Sequence, residues 1–138
     1  MTAAPADPVG VARSLHAALE VGRYGEELRD LFTPGAVTIE HPNLLKPRGA
    51  RMTLEEMLAA SAAGAGLLRS QRYAVQWSAA VGTTAVLTLT WTGVLARDAG
   101  PLRAGQELVA HIAQVVETEG DRIASIETFD CYEPFPSS

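Results

Sequence analysis

The chain is 138 residues long, one ordinary domain, with 47% hydrophobic and 20% charged residues, so neither wholesale disorder nor a collagen-like repeat is expected. Eleven basic against 16 acidic residues give a formal net charge of −5; with Lys46 the only lysine and no basic stripe, nucleic acid is not an expected partner. A single cysteine, Cys131, excludes an internal disulfide or a multi-cysteine metal site, and no apolar run approaches the ~20 residues of a membrane span.

In chain order, residues 1–6 are small and polar and read as a flexible lead-in. The opening MTAAPADPVG lacks the charged and apolar regions of a signal peptide, so the cytoplasm is the expected compartment. Asp7-Pro8 reads as an N-cap followed by proline at the first helical position, and Val11, Leu15, Ala18 and Leu19 keep helical spacing up to Gly22. A second helix is predicted over about Tyr24–Phe32, stopped by Thr33-Pro34-Gly35. The β-branched stretch Ala36–Glu40 predicts a short strand. His41 to Ala50, with Pro42, Asn43, Pro47 and Gly49, predicts a loop. Thr53 and Glu56 have capping-box spacing and should launch a third helix reaching about Leu68.

From Ser70 the period changes from 3.6 to 2. Tyr73, Val75, Trp77, Ala79 and Val81 alternate with polar residues up to the turn Gly82-Thr83, and Ala85, Leu87, Leu89 and Trp91 alternate with threonines after it. Arg97–Gly105 reads as a longer loop. Glu107–Glu117 and Arg122–Tyr132 read as two more long strands joined at Glu119-Gly120-Asp121, and the proline-bearing tail from Glu133 cannot continue a central strand. Residues 136–138 read as a flexible end. Helices first and strands afterwards predict a single α+β domain over residues 1–138, with three N-terminal helices packed on a strongly curved, mostly antiparallel sheet. Both faces of the third long strand are apolar: Leu108, Ala110, Ile112 and Val116 on one, Val109, Ala113 and Val115 on the other. A sheet covered by helices on one side only should be polar on its other side, so a homodimer through that face is expected; a flatter sheet tolerating exposed Val and Ala is the alternative.

The order helix, helix, short strand, helix and four long strands resembles the cone-shaped fold of nuclear transport factor 2-like proteins. Ala36-Val-Thr-Ile-Glu-His-Pro-Asn43, Gly49 before the third helix, and Phe129-Asp-Cys-Tyr-Glu-Pro-Phe135 sharpen the resemblance to the SnoaL-like branch, over about residues 10–135. The first segment is also similar to the ketosteroid isomerase strand whose catalytic aspartate directly precedes a proline; here His41 stands before Pro42. The resemblance implies a mostly apolar pocket for a small hydrophobic molecule and chemistry without a cofactor; the scattered histidines His16, His41 and His111 lack metal-site spacing, so no metal is expected.

Neighbours in a strand face opposite ways, so only one of Glu40 and His41 can enter the cone. His41 is the expected proton acceptor, since imidazole titrates near neutrality; a hydrogen-bonded strand-end histidine without chemistry is the alternative. Asp130, between Phe129 and Cys131, needs a partner if it is buried and is expected to orient a histidine, to act as a base itself, or to anchor the last strand. Glu127 lies on the opposite face from Asp130. His111 shares its face with Val109, Ala113 and Val115; the resemblance to SnoaL-like cyclases places it to polarise a substrate oxygen, and a core histidine paired with a carboxylate is the alternative. Asn43 and Arg48 are candidates for orienting a polar ligand group, and Tyr24, Trp91, Phe129 and Tyr132 for the pocket wall. The expected function is cofactor-free acid–base chemistry (isomerisation, cyclisation or dehydration) on a small hydrophobic carbonyl compound, or else non-catalytic ligand binding or dimerisation by the same fold.

Overall fold

The structure, a computed structural model, describes residues 6–135; the expected flexible ends, residue 6 apart, lie outside the described residues. Helix α1, Pro8–Glu20, starts where Asp7 Oδ1 accepts the Val9 amide at 3.1 Å and Pro8 presets the first turn. Its inward stripe of Ala12, His16 and Ala18 is buried. The expected second helix is a tighter 3-10 segment, Gly25–Leu31. Gly25 has φ +60° and would place a Cβ 3.1 Å from that of Ala62, so this turn needs glycine both for its backbone and for its close approach to the next helix.

Strand β1 runs Phe32–Glu40, four residues longer than expected at its start. Thr33-Pro34-Gly35 does not end a helix there but sits in an irregular stretch, where the register to its neighbour shifts between Phe32 and Val37. Proline is tolerated because that stretch has no ladder partner to lose. Strand β2, Ala50–Thr53, falls where loop was expected at its start and pairs antiparallel with β1. The turn into it requires Gly49, whose φ is +68° and whose hypothetical Cβ would lie 2.5 Å from Glu40 O. Helix α2, Leu54–Ala63, opens with the expected reciprocal Thr53–Glu56 capping box. It stops five residues short of the expected end, because Gly64 and Gly66 break it and Leu68 already belongs to the next strand. The expected three N-terminal helices are thus two α-helices and one 3-10 segment, with β1 and β2 standing before α2.

Strands β3 (Leu68–Val81), β4 (Thr84–Leu95), β5 (Glu107–Glu119) and β6 (Arg122–Tyr132) form the expected meander. All six strands make one sheet in the order β2-β1-β6-β5-β4-β3, antiparallel throughout except for the parallel β1–β6 pair. The helices cover one face, called inner here. Leu28, Leu54 and Leu58 pack there against Phe32, Leu87, Val116, Ile123 and Ile126. Burying such side chains contributes roughly 1.5–3 kcal/mol each before entropy is charged against it.

Candidate functional site

Ladder register decides which side chains share the inner face. Leu87, Leu89 and Trp91 of β4 oppose Gln114, Ile112 and Ala110 of β5, which in turn oppose Thr128, Asp130 and Tyr132 of β6. Tyr73 and Val75 of β3 oppose Trp91 and Leu89, and Glu40 of β1 lies beside Thr128. Toward one end of this face the hydrocarbon core gives way to polar side chains. Gln71, Tyr73, Trp91, Gln114, Asp130 and Tyr132 are among the residues lining a cavity of ≈ 210 Å³.

The cavity is internally wired. Trp91 Nε1 donates to Gln71 Oε1 at 3.0 Å, and the Tyr73 hydroxyl donates to the same oxygen at 3.3 Å. Gln71 Nε2 in turn reaches Leu19 O at 3.3 Å and the Tyr24 hydroxyl at 3.5 Å. Thr128 Oγ1 donates to Asp130 Oδ1 at 2.5 Å. Burial holds the Asp130 carboxyl above the usual aspartate range; the nearby Glu40 charge pushes the same way, while the Thr128 bond and Lys46 oppose it. Burial also raises the phenols of Tyr73 and Tyr132, with the Asp130 charge adding to both. These hydroxyls therefore stay protonated at neutral pH and remain hydrogen-bond donors.

Beyond Trp91 lies a second chamber of ≈ 430 Å³, walled by Leu68, Leu95, Leu102, Leu108 and Phe135 among other hydrocarbon side chains. Trp91 lines both spaces. Its indole NH is tied to Gln71 on the polar side, leaving the ring as the partition. The ring lies across Gly93, where a Cβ would meet Trp91 Cη2 at 2.4 Å.

The structure sorts the expected site residues between the two faces. Asp130, Trp91 and Tyr132 line the polar cavity, and Tyr24 touches it through Gln71. His41 does not enter it. Glu40 takes the inward position and the next residue must face out, so His41 bonds Glu127 Oε2 at 2.6 Å and stacks on Phe129 with ring centroids 4.3 Å apart. Phe129 is therefore on the outer face and 40% exposed rather than a pocket wall. His111 is also on the outer face, exposed, with its Nε2 2.8 Å from Glu133 Oε2. This alternation corrects the roles expected of His41 as the proton acceptor and of His111 at the substrate oxygen, since both rings lie on the face opposite Asp130. Asn43 is occupied within its loop: Nδ2 donates to Glu40 Oε2 at 2.8 Å and to His41 O at 2.9 Å, and Oδ1 accepts the Leu45 and Lys46 amides. Arg48 is exposed in the same loop.

Sequence reasoning passed over Gln71, Tyr73, Gln114, Thr128 and His16. Gln114 had a readable signal, being the one polar residue in the row Leu108, Ala110, Ile112, Gln114, Val116. His16, in the middle of α1, is 5% exposed. Its ring stacks on Tyr73 at 4.5 Å and its Nε2 lies 2.9 Å from Gln114 Oε1. Burial holds this imidazole below its ordinary value, against the hydrogen bond to Gln114 Oε1 and the charge of Glu20. Among the described residues no three His, Cys, Asp or Glu side chains are grouped to hold a metal ion, and no helix is long and apolar enough to cross a membrane.

No protein-family model and no curated protein matches the chain. Solved structures do. IdmH, a candidate polyketide cyclase from Streptomyces antibioticus, superposes with TM-score 0.71 at 18% identity, over 91% of this chain and 92% of its own. A candidate SnoaL-like polyketide cyclase from Jannaschia sp. CCS1 gives 0.69 at 17%, over 94% and 90%. A ketosteroid isomerase-like protein from Catenulispora acidiphila, solved with trimethylamine, gives 0.67 at 18%, over 86% and 83%. The chain has the nuclear transport factor 2-like fold, in the form it shares with SnoaL-like polyketide cyclases and ketosteroid isomerase-like proteins.

Proposed function

We propose that the inner-face cavity binds a small, largely hydrophobic molecule carrying a carbonyl group, and that Asp130 moves a proton on it without a cofactor. The observation that carries this reading is a desolvated carboxylate in a polar cavity that shares Trp91 with a wholly apolar chamber. The hydrocarbon part of the ligand packs against Trp91 and Ile112 in the cavity lining, where each buried methylene is worth ≈ 0.8 kcal/mol. Its oxygen lies among the donors of the polar cavity. A carboxylate with a raised pKa is a stronger base than one in water and suits removal of a proton beside that carbonyl. Neutral Tyr132 is a donor for the enolate oxygen that forms as the proton leaves, the Tyr73 hydroxyl being engaged by Gln71. Isomerisation, cyclisation and dehydration all begin with such a step. His41, the base expected from its place before Pro42, is given no part in it, because it faces away from Asp130.

Deuterium exchange at the α-carbons of 2-tetralone in D2O, followed by proton NMR, tests this. The wild type should accelerate exchange beyond an equal concentration of acetate, and Asp130→Asn should lose the acceleration while still binding the ketone. Binding without acceleration in the wild type favours the alternative, a ligand-binding module in which the same residues only fix orientation.

The outer face supports a second part of this reading, a homodimer. Trp77 is 55% exposed there and Phe129 40%, no helix among the described residues covers them, and Val109, Ala113 and Val115 of β5 are half-buried between them. A second copy offers the same apolar surface across a twofold axis. Light scattering at micromolar concentration should give twice the chain mass, and a clean monomer refutes it.

A further inference from the structure

The buried imidazole of α1 has no task in the chemistry above, yet it is placed to set the chemistry of a cavity wall. His16 Nε2 lies 2.9 Å from Gln114 Oε1, and Gln114 lines the cavity with Thr128 and Asp130. The other ring nitrogen, Nδ1, is buried with no partner among the described residues. These two facts choose the tautomer. With hydrogen on Nδ1, the ring would bury an N–H donor that bonds nothing, which folded proteins almost never tolerate. With hydrogen on Nε2, only an acceptor lone pair is left bare, a smaller cost, and Nε2–H has the carboxamide oxygen of Gln114 to donate to. Once that oxygen is engaged by His16, the amide NH2 of Gln114 is the end left for the cavity.

We infer that His16 is a positioning residue: its Nε2–H fixes the side chain of Gln114 so that the amide NH2 is presented as an N–H donor to a ligand carbonyl oxygen. The inference rests on the cavity being the ligand site. It goes further in giving the site a neutral, orientation-locked donor besides the Tyr132 phenol, and in making the preferred ligand one that accepts hydrogen bonds at that point. Stacking on Tyr73 at 4.5 Å, with ring planes 2° apart, keeps the imidazole from rotating out of line. A ligand group that can only donate, such as an ammonium, meets the wrong end of Gln114. A carbonyl meets the right one.

Two readouts test this. Long-range proton–nitrogen-15 correlation spectra of the ligand-free protein report which nitrogen of His16 carries hydrogen, the resonance being assigned by its loss in His16→Gln. The second is the affinity ratio of 2-tetralone to tetralin, the same hydrocarbon without its oxygen, measured by Trp91 fluorescence in a Trp77→Phe background. His16→Phe keeps a ring against Tyr73 but removes the donor. It should lower the ketone-over-hydrocarbon ratio by roughly 3- to 10-fold, the range for one lost hydrogen bond, with tetralin affinity unchanged. His16→Gln places an amide NH2 near the former Nε2 and should restore much of the ratio. A neutral ring with hydrogen on Nδ1 overturns the inference, as does a His16→Phe variant that weakens both ligands equally. If the wild type binds neither ligand, the cavity's proposed function fails, while the tautomer still decides whether His16 orients Gln114.

Discussion

Gly93 offers the sharpest test of how the two chambers are divided. It lies in β4 opposite Gln71 and Leu108, in ordinary extended backbone, so alanine meets no conformational objection there. The obstacle is Trp91. An added Cβ would lie 2.4 Å from Cη2 and 2.5 Å from Cζ2 of the indole, and 3.3 Å from Leu68 Cδ2. To regain ordinary contact at about 3.5–4.0 Å the ring must retreat by about 1.1–1.6 Å. That movement strains the 3.0 Å bond from Nε1 to Gln71 and the edge-to-face packing on Tyr132, at 6.2 Å between centroids. Overpacking of this kind costs about 1–3 kcal/mol. For a chain of this length each kcal/mol moves the melting temperature by about 3–5 °C, so Gly93→Ala should melt about 3–15 °C lower. In a Trp77→Phe background the indole emission reports Trp91 alone and should shift as the ring leaves its place. A melting temperature within about 1 °C of the parent, with unchanged emission, would refute the reading that the indole lies across Gly93 as the wall between chambers.

Other outcomes are equally definite. Because burial raises the Asp130 pKa in the folded protein, the native state holds that proton more tightly than the unfolded chain, and this contribution to stability falls as pH rises from the ordinary aspartate value through the folded one. Asp130→Asn should accordingly be more stable than wild type by about 1 kcal/mol near neutrality, with an advantage that shrinks toward about pH 4; urea titrations across that range would contradict this if the difference were constant. His41→Gln should cost less than about 1 kcal/mol, since His41 and Glu127 are 37% and 40% exposed, and it should leave 2-tetralone binding unchanged; a large loss of affinity would return His41 to the site. Thr53→Ala removes the cap from α2 and should cost about 0.5–2 kcal/mol by thermal melts, with the fold retained.

Much of the architecture was legible because its signals are local. Asp7-Pro8, the Thr53–Glu56 box and the alternation from Tyr73 to Tyr132 each act over a few residues, and the elements they specify form nearly where they stand. β2 was missed because four residues at an edge carry too little pattern, and the extension of β1 because Thr33-Pro34-Gly35 reads as a breaker. The strand sits through it only because no ladder partner is required there. The limits of α2 depended on Gly64 and Gly66, which admit more than one stopping point.

The site divides along the same line. Alternation alone determined that Glu40 and His41 must part, that Asp130 and Glu127 must part, and that His111 shares a face with Val109, Ala113 and Val115. It could not decide which face turns inward, since both faces of β5 are apolar and either would satisfy the pattern. Only the docking of α1 and α2 against Leu87, Val116 and Ile126 settles that, and it carries Asp130, Trp91 and Tyr132 in while leaving His41, His111 and Phe129 out. The meeting of His16 with Gln114, 98 residues apart, was equally beyond the sequence. Such a pair has no local spacing to betray it, and it exists because a helix from one end of the chain is laid across a strand near the other.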